Sequence, residues 1–216
     1  MKITLCKKLC AGAGLIMVVL HSICASETNN VESIWVPGNA NLWLAGMPNG
    51  SIAGNKFDVA PDQSPIKITG IPITPGTILK FSVVGGVSND PGLPLKDADG
   101  IDTYIVSRTP GAENGIGNIN APMDALVGVF LDDSIPSNFS PPAELDFSAP
   151  SNRDFAFLYP GLRQPFFIGN GEDSAGNVQE FTVPAGATRL FLGTMDGYKW
   201  SDNIGSFTVN VTVVPN

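Results

Sequence analysis

The chain is poor in the side chains on which most enzymes and metal proteins depend. It holds three cysteines and one histidine, and Cys6, Cys10, His21 and Cys24 all fall within the first 25 residues. Those residues read as a secretory signal peptide. Lys2, Lys7 and Lys8 form a positive n-region, Leu9 to Leu20 an apolar core, and Ile23-Cys24-Ala25 a small-residue cleavage site before Ser26. The apolar run is short for a membrane span of ~20 residues, and no stop-transfer pattern follows it. The mature chain expected from this, residues 26–216, contains no cysteine and no histidine. Disulfides, thiol nucleophiles, Ser-His-Asp triads and His/Cys zinc sites are therefore excluded from it.

Basic residues are also scarce. The chain has 12 Lys and Arg against 20 Asp and Glu; removing the three signal lysines leaves nine, so the mature net charge is about −11. That balance disfavours nucleic acid or an anionic membrane as a partner, and no membrane insertion is expected after the signal. Long apolar stretches with a 3.6-residue period are missing, as are internal repeats and low-complexity tracts. The 24 Gly and 18 Pro are spread as turn punctuation between short apolar runs.

What is present reads as a succession of strands. Candidates are Ser33–Val36, Leu42–Ala45, Ile66–Ile71, Thr77–Val84, Asp124–Leu131, Gln164–Ile168, Val178–Val183, Ala187–Gly193 and Gly205–Val214. In the last, Phe207, Val209, Val211 and Val213 alternate with Thr208, Asn210 and Thr212, the period of a half-buried strand. Asp124–Leu131 is more continuously apolar, as a central strand buried on both faces should be. The expected fold class is all-β, a single antiparallel β-sandwich or jelly roll over residues 26–216. The Pro-rich stretch 134–160 reads as a long insertion, either an elaborated loop or extra edge strands.

Between the last two strands lies the loop Asp196-Gly-Tyr-Lys-Trp-Ser-Asp-Asn203. It carries Asp196, Asp202 and Asn203 between two fixed ends, and three side-chain oxygens on such a loop suit a hard cation such as calcium. Asp and Asn also cap their own backbone in ordinary turns, and local composition alone favours that simpler reading. A second acidic cluster, Asp97, Asp99 and Asp102, lacks the full calcium-loop pattern and reads first as a solvated turn. The pairs Asp132/Asp133 and Glu172/Asp173 sit beside turns, and neither is set up as a glycosidase acid pair.

Several segments resemble the Pseudomonas-type calcium-dependent galactophilic lectins. These are Thr74–Asn89, the central strand Ala125–Phe130, Phe181–Gly186, Leu190–Gly193 and above all Asp202-Asn-Ile-Gly-Ser-Phe-Thr-Val-Asn210. The resemblance spans roughly residues 75–213 and implies a galactose-binding-domain-like sandwich holding one Ca2+ at one end. It implies Asp196, Asp202 and Asn203 as side-chain ligands, with the backbone carbonyls of Lys199 and Asn89 completing the protein's share. Two adjacent sugar hydroxyls would finish the coordination. Asp196 and Asp202 would bond those hydroxyls, and Tyr198 or Trp200 would offer an apolar face to the ring. The family's additional His and Gln sugar contacts have no counterpart in Asp90–Gly100, which departs from the galactose pattern. The expectation is a secreted or periplasmic, non-catalytic lectin used in attachment or adhesion, with carbohydrate as partner and homo-oligomers compatible with the class. The rival expectation is a structural or adhesion sandwich that binds no sugar.

Overall fold

A computed structural model describes residues 30–214; the expected signal peptide lies outside the described residues. The chain is all-β, with strands dominating and only short helical turns. The strands are β1 (Val31–Pro37), β2 (Ile52–Ala53), β3 (Asn55–Val59), β4 (Ile66–Lys67), β5 (Ile78–Ser88), β6 (Ile101–Ser107) and β7 (Ile119–Met123). They continue as β8 (Leu126–Leu131), β9 (Leu145–Asp146), β10 (Phe157–Leu158), β11 (Phe166–Phe167), β12 (Glu180–Thr182), β13 (Arg189–Thr194) and β14 (Ile204–Val214). One sheet has the order β1-β14-β5-β12-β10 and a second β11-β8-β13-β4, with smaller sheets β2-β3 and β6-β7-β9. Pairing is antiparallel throughout the two main ladders, as in a β-sandwich.

Alternation along β14 sorts its side chains as the sequence predicts. Phe207, Val209 and Val211 are buried, and the registered row Ile34–Val209–Val83 faces inward across three strands. The opposite row, Trp35–Thr208–Val84, faces out. Every residue of β8 is buried, as a strand covered on both faces requires. Phe130 stacks on Phe166 (centroids 5.1 Å), Phe166 meets Phe181 at 5.7 Å, and Phe181 meets Phe81 edge-on at 5.0 Å. This aromatic chain runs from β8 to β5 and ties the two main sheets together.

Some expected elements change character. Leu42–Leu44 is a buried 3-10 turn rather than a strand, because the Asn41 side chain accepts from the Trp43 amide at 3.0 Å and caps it. The first residues of the expected Asp124–Leu131 strand form a turn, and Asp124 has φ of 71°. The stretch 134–160 contains both a loop and short strands: a 3-10 turn at Pro136–Asn138, then β9, helix α1 (Pro150–Arg153) and β10. Strands β2, β3, β6 and β7 have no counterpart in the sequence reading. No helix among the described residues is long and apolar enough to cross a membrane.

Gly205 shows why the Ile-Gly-Ser-Phe run needs its glycine. Its φ is +82°, and a Cβ there would sit 2.2 Å from the Gly86 carbonyl oxygen of the neighbouring strand.

Candidate functional site

Two ladders end at the same end of the sandwich, and their ends converge. In the β8–β13 ladder the last rung pairs Thr194 with Leu126. The next position is bonded through Met195 N–H to the Ala125 carbonyl (2.8 Å), and the Asp124 N–H donates to the Met195 carbonyl (2.9 Å). Asp124 and Asp196 are therefore brought face to face one step further on. In the β5–β14 ladder the last rung pairs Ser88 with Ile204, so Asn89 and Asn203 lie just beyond it. Each sheet contributes one pair of oxygen-bearing side chains.

Asp196 is 6% exposed. Its Oδ1 accepts from the Tyr198 amide at 2.8 Å and more weakly from the Lys199 amide at 3.4 Å, closing a turn on its own backbone. Burial raises its pKa above the ordinary carboxylate value, against the Tyr198 amide and the Asn203 side chain, which favour the charge. Asn203 Nδ2 donates to the Gly38 carbonyl at 3.2 Å, which fixes the amide's orientation and leaves Oδ1 as its free acceptor.

Asp124 is 1% exposed. Burial pushes its carboxyl up to about 6; the Asn89 N–H and Lys96 oppose this, and the Asp196 charge adds to it. The Asn89 amide is close enough to act on the charge, yet neither carboxylate oxygen has a partner of normal hydrogen-bond geometry. Among the described residues, six buried side-chain oxygens lack a partner, and four are here: Asn89 Oδ1, Asp124 Oδ1 and Oδ2, and Asn203 Oδ1. Buried acceptors are ordinarily paired because leaving one unpaired costs about 1–3 kcal/mol. Four at one place make a set of oxygen donors with no protein donor to meet them. No group of three or more His, Cys, Asp or Glu converges among the described residues; the cluster is two carboxylates completed by two amide oxygens.

The loop between Asp196 and Asn203 is held from below. Asp58, on β3, is fully buried and accepts from the Trp200 amide (3.0 Å), the Ser201 amide (2.9 Å) and Asn55 Nδ2 (3.0 Å). Desolvation raises its pKa and these four-way contacts, including the Ser201 side chain, lower it. Asn55 also donates to the Tyr198 carbonyl at 2.9 Å. Trp200 packs against Trp43 at 5.5 Å, and the Arg108 guanidinium lies 4.6 Å from the Trp43 ring while ion-pairing with Glu113.

The expected site residues separate accordingly. Asp196, Asn203 and Asn89 come together, and Asn89 brings its side-chain oxygen and its backbone N–H, where the sequence points to its carbonyl. Asp202 turns outward, where Lys199 Nζ pairs with it at 2.7 Å. Tyr198 is 53% exposed on the rim. Trp200 requires a correction: it is fully buried and its Nε1 donates to the Thr194 carbonyl at 2.8 Å, so it presents no face to a sugar. Asp124 and Asp58 carry little signal in the sequence: Asp124 stands at the head of an apolar run that reads as strand, and Asp58 lies on a strand of five residues without clear alternation.

The Asp97–Asp102 region differs in kind. It borders a cavity of about 210 Å³ with Arg153 and Phe167 in its wall. Asp102 pairs with Arg153 at 2.7 Å, and Asp99 Oδ1 accepts from the Asn170 amide at 2.9 Å. Burial still raises the Asp99 pKa, opposed by that amide. These acids have protein partners, as a structural turn would. No protein-family model matches the chain, and no curated protein matches it.

Proposed function

We propose that the protein is a secreted or periplasmic, non-catalytic, lectin-like sandwich that binds Ca2+ at this end and carbohydrate through it. The observation that carries the reading is the convergence of Asp196, Asn203 and Asn89, with amide oxygens that no protein donor reaches. Oxygen-only donors suit a hard cation, and a bound Ca2+ would supply open coordination positions for vicinal hydroxyls. Exposed Tyr198, two residues from Asp196, supports a carbohydrate partner, since an aromatic face packs on a sugar ring. The resemblance to the galactophilic lectins, with a jelly-roll, galactose-binding-like fold, points the same way. Asp90–Gly100 supplies neither His nor Gln, so the sugar need not be galactose.

The test is calorimetric titration of the mature chain with CaCl2, then with galactose and other monosaccharides, with and without chelator, followed by a glycan array. Calcium-dependent sugar binding supports the reading. Absence of any calcium-linked heat or thermal shift overturns it. Calcium binding without any glycan signal favours the second reading, a calcium-stabilised structural or adhesion module. The burial of Trp200, which leaves Tyr198 as the exposed aromatic of this loop, is the observation in its favour.

A further inference from the structure

Asp124 combines three features. Its φ of 71° lies in the left-handed region, where a side chain is tolerated at a cost. Its carboxylate is withdrawn from water. Neither oxygen has a partner of normal hydrogen-bond geometry, although the Asn89 N–H and Lys96 act on its charge, and among the described residues Asp124 forms no ion pair. Strain and a buried carboxylate only partly compensated together are retained where a site uses them. The ladder register sets this carboxylate opposite Asp196, at the end where Asn89 and Asn203 present their unpaired oxygens.

We propose that Asp124 is a direct ligand of a hard divalent cation bound between Asp124, Asp196, Asn203 and Asn89, and that Asp202 is not. This rests on the cation-binding reading above but changes its ligand set. Two carboxylates balance a divalent charge, which allows the ion to sit in a largely desolvated place. All four side chains offer oxygen, which selects a calcium-like ion over softer metals. Four side-chain donors fall short of the six to eight that calcium takes, leaving room for carbonyls, water or ligand hydroxyls. Asp202, half exposed and engaged by Lys199, belongs to the rim.

The experiment compares the mature chain with Asp124→Asn, Asp124→Gly, Asp196→Ala and Asp202→Ala, using CaCl2 calorimetry and terbium luminescence sensitised by the aromatic residues. Both Asp124 variants are expected to bind Ca2+ and Tb3+ roughly tenfold or more weakly, because ligand charge sets affinity at oxygen sites. In chelator both should unfold at or above the parent's midpoint, since the strained, unpaired carboxylate is gone; glycine relieves the backbone as well. Asp196→Ala should lose binding, and Asp202→Ala should stay within about threefold of the parent, as expected of an exposed pair. Parent-like calcium affinity in both Asp124 variants, with binding lost in Asp196→Ala, overturns the proposal and leaves the cation reading standing. Loss of binding in Asp202→Ala also overturns it. A parent that binds neither ion overturns both. Should Asp124→Asn fail to fold, Asp124→Gly carries the comparison.

Discussion

Asp124 and Asp196 meet because the antiparallel register of β8 and β13 carries one step past its last rung, through the Met195–Ala125 bond of 2.8 Å. Neither residue is near the other in sequence, and neither carboxylate is drawn to the other electrostatically. Backbone pairing holds two carboxylates together, and burial raises the pKa of each.

Asp124 has a folded pKa raised to about 6, chiefly by burial. A raised acid binds more protons folded than unfolded, so its contribution favours folding at pH near and below its unfolded value of about 4. That contribution declines as pH rises to 6 and is flat above. In chelator, the midpoint of thermal unfolding should fall between pH 4 and 6 through this group. The fall should be smaller in Asp124→Asn, with Asp58, Asp99 and Asp196 contributing what remains. Identical profiles for the two proteins would refute the assignment.

Asp58 should be the more costly carboxylate to lose. Asp58→Ala leaves the Trp200 and Ser201 amides and Asn55 Nδ2 without their common acceptor. A loss of about 2–4 kcal/mol is expected in denaturant unfolding. Calcium affinity should fall as well, because the Asp196–Asn203 loop loses its anchor. A loss below about 1 kcal/mol would show that water replaces the carboxylate.

Trp200 and Tyr198 separate stability from recognition. Trp200→Ala opens a cavity beside Trp43 and should cost about 3–5 kcal/mol. Tyr198→Ala, on the exposed rim, should change stability by no more than about 0.5 kcal/mol. It should weaken glycan binding on the array while leaving calcium affinity as it was. Unchanged glycan binding would remove Tyr198 from the sugar face.

Gly205→Ala should destabilise the fold by about 1–3 kcal/mol, since φ of +82° and the Gly86 carbonyl 2.2 Å from the added carbon both oppose it. Differential scanning calorimetry gives the answer directly. A neutral result would mean that β14 and β5 separate there without cost.

The sequence by itself determined the all-β class, because period-2 alternation in β14 and β5 and the continuous apolar run of β8 are local properties. It also determined the available chemistry: with no His or Cys in residues 26–216, a metal site must be built from oxygen. The Asp196–Asn203 loop was legible for the same reason, since its oxygens lie between two readable strands. Other features depended on pairing between distant segments. Asn41 made Leu42–Leu44 a capped turn, although its apolar residues read equally well as a strand. Asp58 became a buried clamp because β2 and β3 pack beneath the loop, and short irregular strands leave no period to read. Trp200 went to the core, not the rim, because Trp43, 157 residues away in sequence, supplies its packing partner. The β8–β13 register decided that Asp124 comes to Asp196, and the β5–β14 register brought Asn89 and Asn203 to the same end. Register is a relation between segments, and no single stretch of sequence carries it.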